Sequence, residues 1–187
     1  MRLKFSGISV RLAVMTAFLV VTSIASYGQT GNMEVSGNLG VVGGIGTHGS
    51  FGGSIGAPVT DHLILAGDLS YIPFGGGSVT VLGATTRSSA KAINFNTNLQ
   101  YQFKPAHSVV PYAGAGLGFL HSSFDASSTG PGSFSASGSS TDLYFNVGGG
   151  FRHYVKERWG FRPEFMIFAG SNTYVRFAGG IFYQFGE

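Results

Sequence analysis

From Lys91 to Phe103 the chain alternates with a period of two. Ile93, Phe95, Leu99, Tyr101 and Phe103 fall on one phase, and Asn94, Asn96, Asn98, Gln100 and Gln102 on the other. Successive side chains of a β-strand point to opposite faces, so this segment has an aromatic, apolar face and a carboxamide face. A wall of Asn and Gln suits a closed, hydrogen-bonded interior better than bulk water. The same alternation recurs along the chain and predicts eight strands, at about 34–45, 50–59, 63–72, 90–103, 109–121, 140–154, 160–170 and 174–185. Each matches or slightly exceeds the 9–11 residues of a tilted membrane-crossing strand. Helical periodicity is absent, and glycine recurs every few residues at about 1 kcal/mol of helix stability each.

The connections alternate in character. Thr60–His62, Lys104–Ser108 and Val155–Trp159 are short and charged. The segments 73–89 and 122–139 are long and rich in Gly, Ser and Thr, and they read as loops; Gly46–Gly49 and Ser171–Thr173 are short. In an up-and-down meander, odd and even connections lie at opposite ends, and outer-membrane barrels keep short turns in the periplasm and longer loops outside. An even strand count brings both termini to the periplasmic side. Aromatic residues collect at both strand ends, with Tyr101, Phe103, Phe151, Tyr154, Trp159, Phe161, Tyr183 and Phe185 below and Tyr71, Phe74, Phe119 and Tyr174 above. They read as two interfacial girdles.

Residues 1–28 read as a secretory leader. Arg2, Lys4 and Arg11 precede a 13-residue apolar run, Leu12–Ile24, and small residues offer cleavage pairs at Ser23/Ala25 or Ser26/Gly28. Cleavage after Gly28 is favoured, leaving residues 29–187 as the barrel domain. An uncleaved anchor is the alternative, but the run is short of the roughly 20 residues that span a bilayer. The leader changes the charge picture. The whole chain has 11 Lys and Arg against 8 Asp and Glu; without Arg2, Lys4 and Arg11 the balance is neutral, so basicity offers no support for a nucleic-acid partner. The absence of cysteine excludes a disulfide scaffold, a thiol nucleophile and a Cys-ligated zinc site.

The leader, the eight alternating segments and the C-terminal strand YVRFAGGIFYQF (174–185) together resemble the small eight-stranded outer-membrane β-barrel proteins of Gram-negative bacteria, a group that includes the OmpA barrel domain and OmpX-like and opacity-type proteins. The expected fold is all-β: an eight-stranded antiparallel up-and-down transmembrane β-barrel, preceded by a signal peptide. The resemblance implies a location in the outer membrane, contact with lipid and lipopolysaccharide, and delivery by the barrel-assembly machinery. Tyr174, Phe177, Ile181, Tyr183 and Phe185 correspond to the assembly signal, although family members usually end on the aromatic itself and here Gly186 and Glu187 follow. A soluble exported β-sandwich is the alternative fold.

Candidate chemistry is sparse. Glu34, Asp68, Asp142, Arg152, Arg162, Glu164 and Arg176 lie on the interior phase. Strand pairing about the turn near Glu157 puts Arg152 opposite Arg162 with Glu164 on the same face, so Arg152, Arg162 and Glu164 are expected to form a cluster that Glu34 reaches when the barrel closes. Such a cluster would either line an ion-selective lumen or plug it, and an eight-stranded barrel is only wide enough for side chains. Arg176 and Asp142 are expected higher up, each serving polar neighbours, within a packed polar interior.

His121, Ser122 and Asp125 are the candidates for a lipid-modifying site at the outer leaflet, in which the His would activate a Ser. His48, His62, His107 and His153 show no metal-ligand spacing, and the glycine runs at Gly75–Gly77 and Gly148–Gly150 lack the features of a phosphate loop. Lys91 can snorkel to lipopolysaccharide phosphates. The preferred function is structural or interaction-type in a monomer without cofactor, with surface ligands taken by loops 73–89 and 122–139. A small-solute channel is the second reading and a lipid-A-modifying enzyme the third.

Overall fold

The computed structural model describes residues 32–44, 46–81, 84–104, 107–130 and 133–186. The leader assigned to residues 1–28 lies outside them. The strands are β1 (Met33–Gly43), β2 (His48–Pro58), β3 (Leu63–Val81), β4 (Ala84–Gln102), β5 (Val109–Thr129), β6 (Phe134–Lys156), β7 (Trp159–Gly170) and β8 (Thr173–Phe185). Each pairs antiparallel with its sequence neighbours, and β1 pairs with β8 from Met33↔Phe185 to Gly43↔Val175, closing the barrel. Closure satisfies the backbone groups of the first and last strands, which in lipid have no water to turn to.

The period of two sorts the side chains as expected. On β4, Asn94, Asn96, Asn98 and Gln100 are buried inside, while Ile93, Leu99 and Tyr101, and Phe103 just past the strand, are exposed on the outer face. The outer face continues with Leu39, Phe51, Leu69, Leu117, Phe145, Phe165, Phe177 and Ile181. Glycine makes room within. An added Cβ at Gly118 would lie 2.5 Å from the Tyr144 hydroxyl and one at Gly150 would lie 3.0 Å from that of Tyr112, so these two positions let large rings cross a narrow lumen.

Three features depart from the sequence expectation. First, the stretches 73–81, 84–89, 122–129 and 134–139, expected as parts of two loops, are strand. β3 and β4 stay paired up to Val81↔Ala84, β4 and β5 up to Thr85↔Thr129, and β5 and β6 up to Ser128↔Phe134. The four strands rise together as one wall about 20 Å beyond Lys91, at roughly 3.3 Å per residue. Low-complexity Ser, Thr and Gly carry little intrinsic strand signal, but four neighbours of matched length satisfy each other's backbone. A bulge between Pro73 and Gly75 inserts Phe74, and Gly75 takes φ +89°, a left-handed conformation open to glycine.

Second, the interior is not polar throughout. Val42, Ile72, Ala92, Leu120, Tyr144, Met166, Phe168 and Tyr174 form a buried apolar cluster towards the outer mouth, with Phe74 packed against it. Third, and as a result, not every terminal aromatic belongs to a girdle. Tyr174 is buried, with its ring stacked on Phe168 at 4.5 Å, and Tyr144 sets its edge against both. Tyr154 turns inward at the lower mouth, where Gln184 Nε2 donates to its hydroxyl at 3.0 Å. Phe74 faces His48 edge-on at 4.7 Å. The phase of these residues, rather than their height along the strand, decides which side of the wall they occupy.

Candidate functional site

Six ionised side chains climb the lumen as a ladder of alternating sign. At the bottom, Glu34 of β1 accepts from Arg152 Nε of β6 at 2.7 Å and from Arg162 Nη1 of β7 at 2.7 Å. Arg162 Nη2 lies 3.8 Å from Glu164, and Glu164 accepts from Arg176 Nη2 of β8 at 3.0 Å. Arg176 Nη1 then donates to Asp68 Oδ1 of β3 at 2.8 Å. All six are buried. Three carboxylates and three guanidiniums balance, as a low-dielectric interior ringed by lipid requires.

Neutral groups complete the ladder. Gln100 accepts from Arg152 at 2.8 Å, Ser54 from Arg162 at 3.0 Å and Ser70 from Arg176 at 3.1 Å. The Tyr112 hydroxyl donates to Glu164 at 2.8 Å, and its ring lies 4.5 Å from the Arg152 guanidinium carbon. Asn38 and Asn96 donate to Asp68 at 3.2 and 2.9 Å. Above this layer the Tyr144 hydroxyl meets the side-chain oxygens of Asn94 and Asn96, and its ring begins the apolar plug. Arg176 joins the two zones, with its guanidinium 5.7 Å from the Phe168 ring.

Arg152, Arg162, Glu164 and Glu34 thus stand in one connected network, although Arg152 meets Glu34 and Glu164 does not contact it directly. Asp68 and Arg176 are equal members that pattern reading left out of the cluster. Their polar phase was visible on β3 and β8, but their contact crosses the lumen between strands that are not neighbours. Asp142 lies apart from the ladder, partly exposed on β6 where the barrel passes into the wall, opposite Leu120.

His121, Ser122 and Asp125 are not brought together. His121 lies on the outer face, with its Nδ1 2.8 Å from the Thr141 hydroxyl. Ser122 follows it on the opposite face of β5, and Asp125 is four residues further up the wall, about 13 Å by strand rise. Asp125 also belongs to a paired strand, opposite Ser89 and Ser137, and not to a loop. Among the described residues no group of three or more His, Asp or Glu side chains is placed to hold a metal. Of the C-terminal residues, Phe177, Ile181, Tyr183 and Phe185 face outward, whereas Tyr174 faces the lumen.

A closed barrel of eight tilted strands with an apolar, aromatic-rimmed exterior and a charge-balanced interior is a transmembrane β-barrel. The chain belongs to the outer membrane protein beta-barrel domain family, whose model matches residues 12–180, and its place is the outer membrane. Solved structures agree on the fold. The N-terminal β-barrel domain of Pseudomonas aeruginosa OprF is 20% identical with a TM-score of 0.52, over 83% of this chain and 100% of that one. Ail, the attachment invasion locus protein of Yersinia pestis, is 14% identical with a TM-score of 0.56, over 82% and 97%. Neisserial surface protein A is 16% identical with a TM-score of 0.58, over 82% and 96%. Ail has also been solved in complex with the heparin analogue sucrose octasulfate. No curated protein matches the chain.

Proposed function

We propose that this protein is a non-conducting outer-membrane barrel that displays a rigid four-stranded β-wall at the cell surface for interaction with an external ligand. The observation that carries this reading is the contrast between the two halves of the molecule. The lumen is filled by the ion ladder and the Tyr144, Phe168 and Tyr174 plug, while β3 to β6 continue far beyond the membrane as a sheet. A filled lumen gives solutes no path, and a surface element on a rigid scaffold is where binding function concentrates. The leader at residues 1–28, a monomeric state and an assembly signal in β8 belong to the same reading. Binding of a sulfated sugar analogue by Ail makes a heparin surface one reasonable probe among immobilised matrix proteins.

Two measurements test it. The purified protein in planar bilayers is expected to give no stepwise conductance. A trimmed variant, with 75–90 and 123–139 each replaced by a tight turn, is expected to keep its heat-dependent gel mobility while cells displaying it lose surface binding. Regular single-channel openings, or undiminished cell binding by the trimmed barrel, would overturn the proposal.

A further inference from the structure

The wall carries a concavity of about 690 Å³, lined by residues 76–78 of β3, 87–89 of β4, 125–127 of β5 and 135–137 of β6. Strand parity sorts this lining. The registers put Ser78, Arg87, Ser127 and Ser135 in one row across the four strands, and Gly76, Ser89, Asp125 and Ser137 in the next. Both rows share the phase of Ile93 and Phe119, so they lie on the outer face, above the lipid-facing belt. The residues between them have the opposite phase and give the concavity only their backbone. Below Lys91 the outer face is apolar; here it is a field of hydroxyls around two charges.

Those two charges, Arg87 and Asp125, are the only ones in the lining, and each stands between two serines. Ser78 and Ser127 are directly across from Arg87, and Ser89 and Ser137 from Asp125. Directly opposed positions lie about 5 Å apart and diagonal ones about 7–8 Å; Arg87 and Asp125 are a diagonal pair. Both are exposed, and neither forms an ion pair among the described residues.

This arrangement specifies a ligand of both signs. A guanidinium with a hydroxyl on either side directs several donors at one oxyanion, and a phosphate has the terminal oxygens to take them. A carboxylate with a hydroxyl on either side supplies the acceptors for the three N–H donors of an ammonium group. A lone anion on Arg87 would have Asp125 one diagonal away, and a lone cation on Asp125 would have Arg87 there. A molecule that holds a phosphate and an ammonium a few bonds apart meets both residues with opposite charge. Gly76 and Gly77 have no side chain to close the β3 side of the concavity, which leaves room for whatever carries that group.

We propose that this concavity binds a phosphate–ammonium zwitterion of the phosphoethanolamine type, with the phosphate on Arg87, Ser78 and Ser127 and the ammonium on Asp125, Ser89 and Ser137. Phosphatidylethanolamine headgroups and phosphoethanolamine-substituted glycans both present these two charges. The inference deepens the display reading and depends on it.

The test uses the full barrel in phosphatidylglycerol nanodiscs, whose headgroups carry no amine, with O-phosphoethanolamine binding followed by saturation-transfer NMR. Arg87→Gln and Asp125→Asn are each expected to weaken binding about tenfold, the loss of one charge-assisted contact. Inorganic phosphate and ethanolamine, offered separately, are expected to bind roughly tenfold more weakly than the joined molecule. Arg87→Asp and Asp125→Arg each abolish binding by placing like charges on the ligand, and the two together restore it with the ligand turned end for end. Lys91→Gln, on the same face below the concavity, leaves binding unchanged. Heat-dependent gel mobility checks that every variant barrel is intact.

Capture of phosphatidylethanolamine vesicles, or of a lipid-free phosphoethanolamine-substituted oligosaccharide, lost in either case with Arg87→Gln, supports the proposal and identifies the source. Equal binding of inorganic phosphate, equal damage by Lys91→Gln, or no rescue in the double reversal would overturn it. If O-phosphoethanolamine does not bind while trimming of the wall abolishes cell binding, only this inference falls. If trimming has no effect on cell binding, the display reading falls and takes this inference with it.

Discussion

Glu34→Gln tests whether the ladder is a desolvated, balanced unit. The substitution keeps the size of the side chain and removes one of three negative charges. Glu34 holds Arg152 through two contacts, at 2.7 and 3.2 Å, and Arg162 through one at 2.7 Å. Without it, Arg162 still has Glu164 at 3.8 Å and Ser54 at 3.0 Å. The amide oxygen of Gln can still accept from one guanidinium. Arg152 nevertheless loses its only carboxylate partner, and one of its two contacts at this position meets an NH2 donor instead. Gln100 and the Tyr112 ring are left as its other partners, with no solvent exposure to offset the loss. Breaking a buried pair by removing one partner costs about 3–5 kcal/mol, and that range is expected here.

The sharper arm of this experiment is the double variant Glu34→Gln/Arg152→Met. It leaves Arg162, Glu164, Arg176 and Asp68, a four-member ladder that is again neutral, and Met fills the vacated space with a flexible apolar chain. The double variant is therefore expected to recover about 2 kcal/mol relative to the sum of the single losses, within the range seen for residues in one network. Urea titration in phospholipid vesicles, read through the single tryptophan, Trp159, and through gel mobility, measures both quantities. A loss below about 1 kcal/mol for Glu34→Gln would match an exposed surface pair and refute the buried, balanced network. Strict additivity in the double variant would refute the coupling between Glu34 and Arg152.

Other positions make separate tests. Gly118→Ala drives a methyl group against the Tyr144 hydroxyl and the Phe95 carbonyl, and is expected to cost about 1–3 kcal/mol by overpacking. Gly179→Ala, where an added Cβ meets nothing within 4 Å, is expected to stay within about 0.5 kcal/mol of wild type in the same titration. Phe168→Ala removes the centre of the aromatic plug and is expected to cost about 3–5 kcal/mol. It should nevertheless remain silent in planar bilayers, because the ion ladder lies below it in series; an open-channel current would show that the plug alone closes the lumen. His121→Ala is expected to leave the lipid A mass spectrum of an expressing strain unchanged, since Ser122 lies on the other strand face. An acyl pattern present only with the wild-type protein would restore the catalytic reading.

Period-two patterning determined most of the architecture because each strand meets its surroundings locally. Lipid outside and a crowded lumen inside impose opposite chemistries on alternate residues, so the eight strands and their two faces can be read from one segment at a time. The interior position of Tyr174 and Tyr154 was legible in the same way, since each shares the phase of Arg176 or Arg152, but proximity to the strand ends drew them into the girdles. The lipid-edge combination of His121 and Ser122 fails on that same parity.

Tertiary structure decided what depends on closure. Which interior charges meet is set by strand tilt and stagger around the barrel, so Asp68 finds Arg176 across the lumen with no local signal naming it, while Glu34, expected to reach the cluster on closure, meets both Arg152 and Arg162 there. The division of the interior into an ionic lower part and an aromatic upper part arises when Val42, Ile72, Leu120, Phe168 and Tyr174 from different strands arrive at one height. The wall has the same origin. Gly, Ser and Thr in 73–89 and 122–139 have little reason to be strand on their own, and become so because matched neighbours satisfy their backbone groups all the way to the tip.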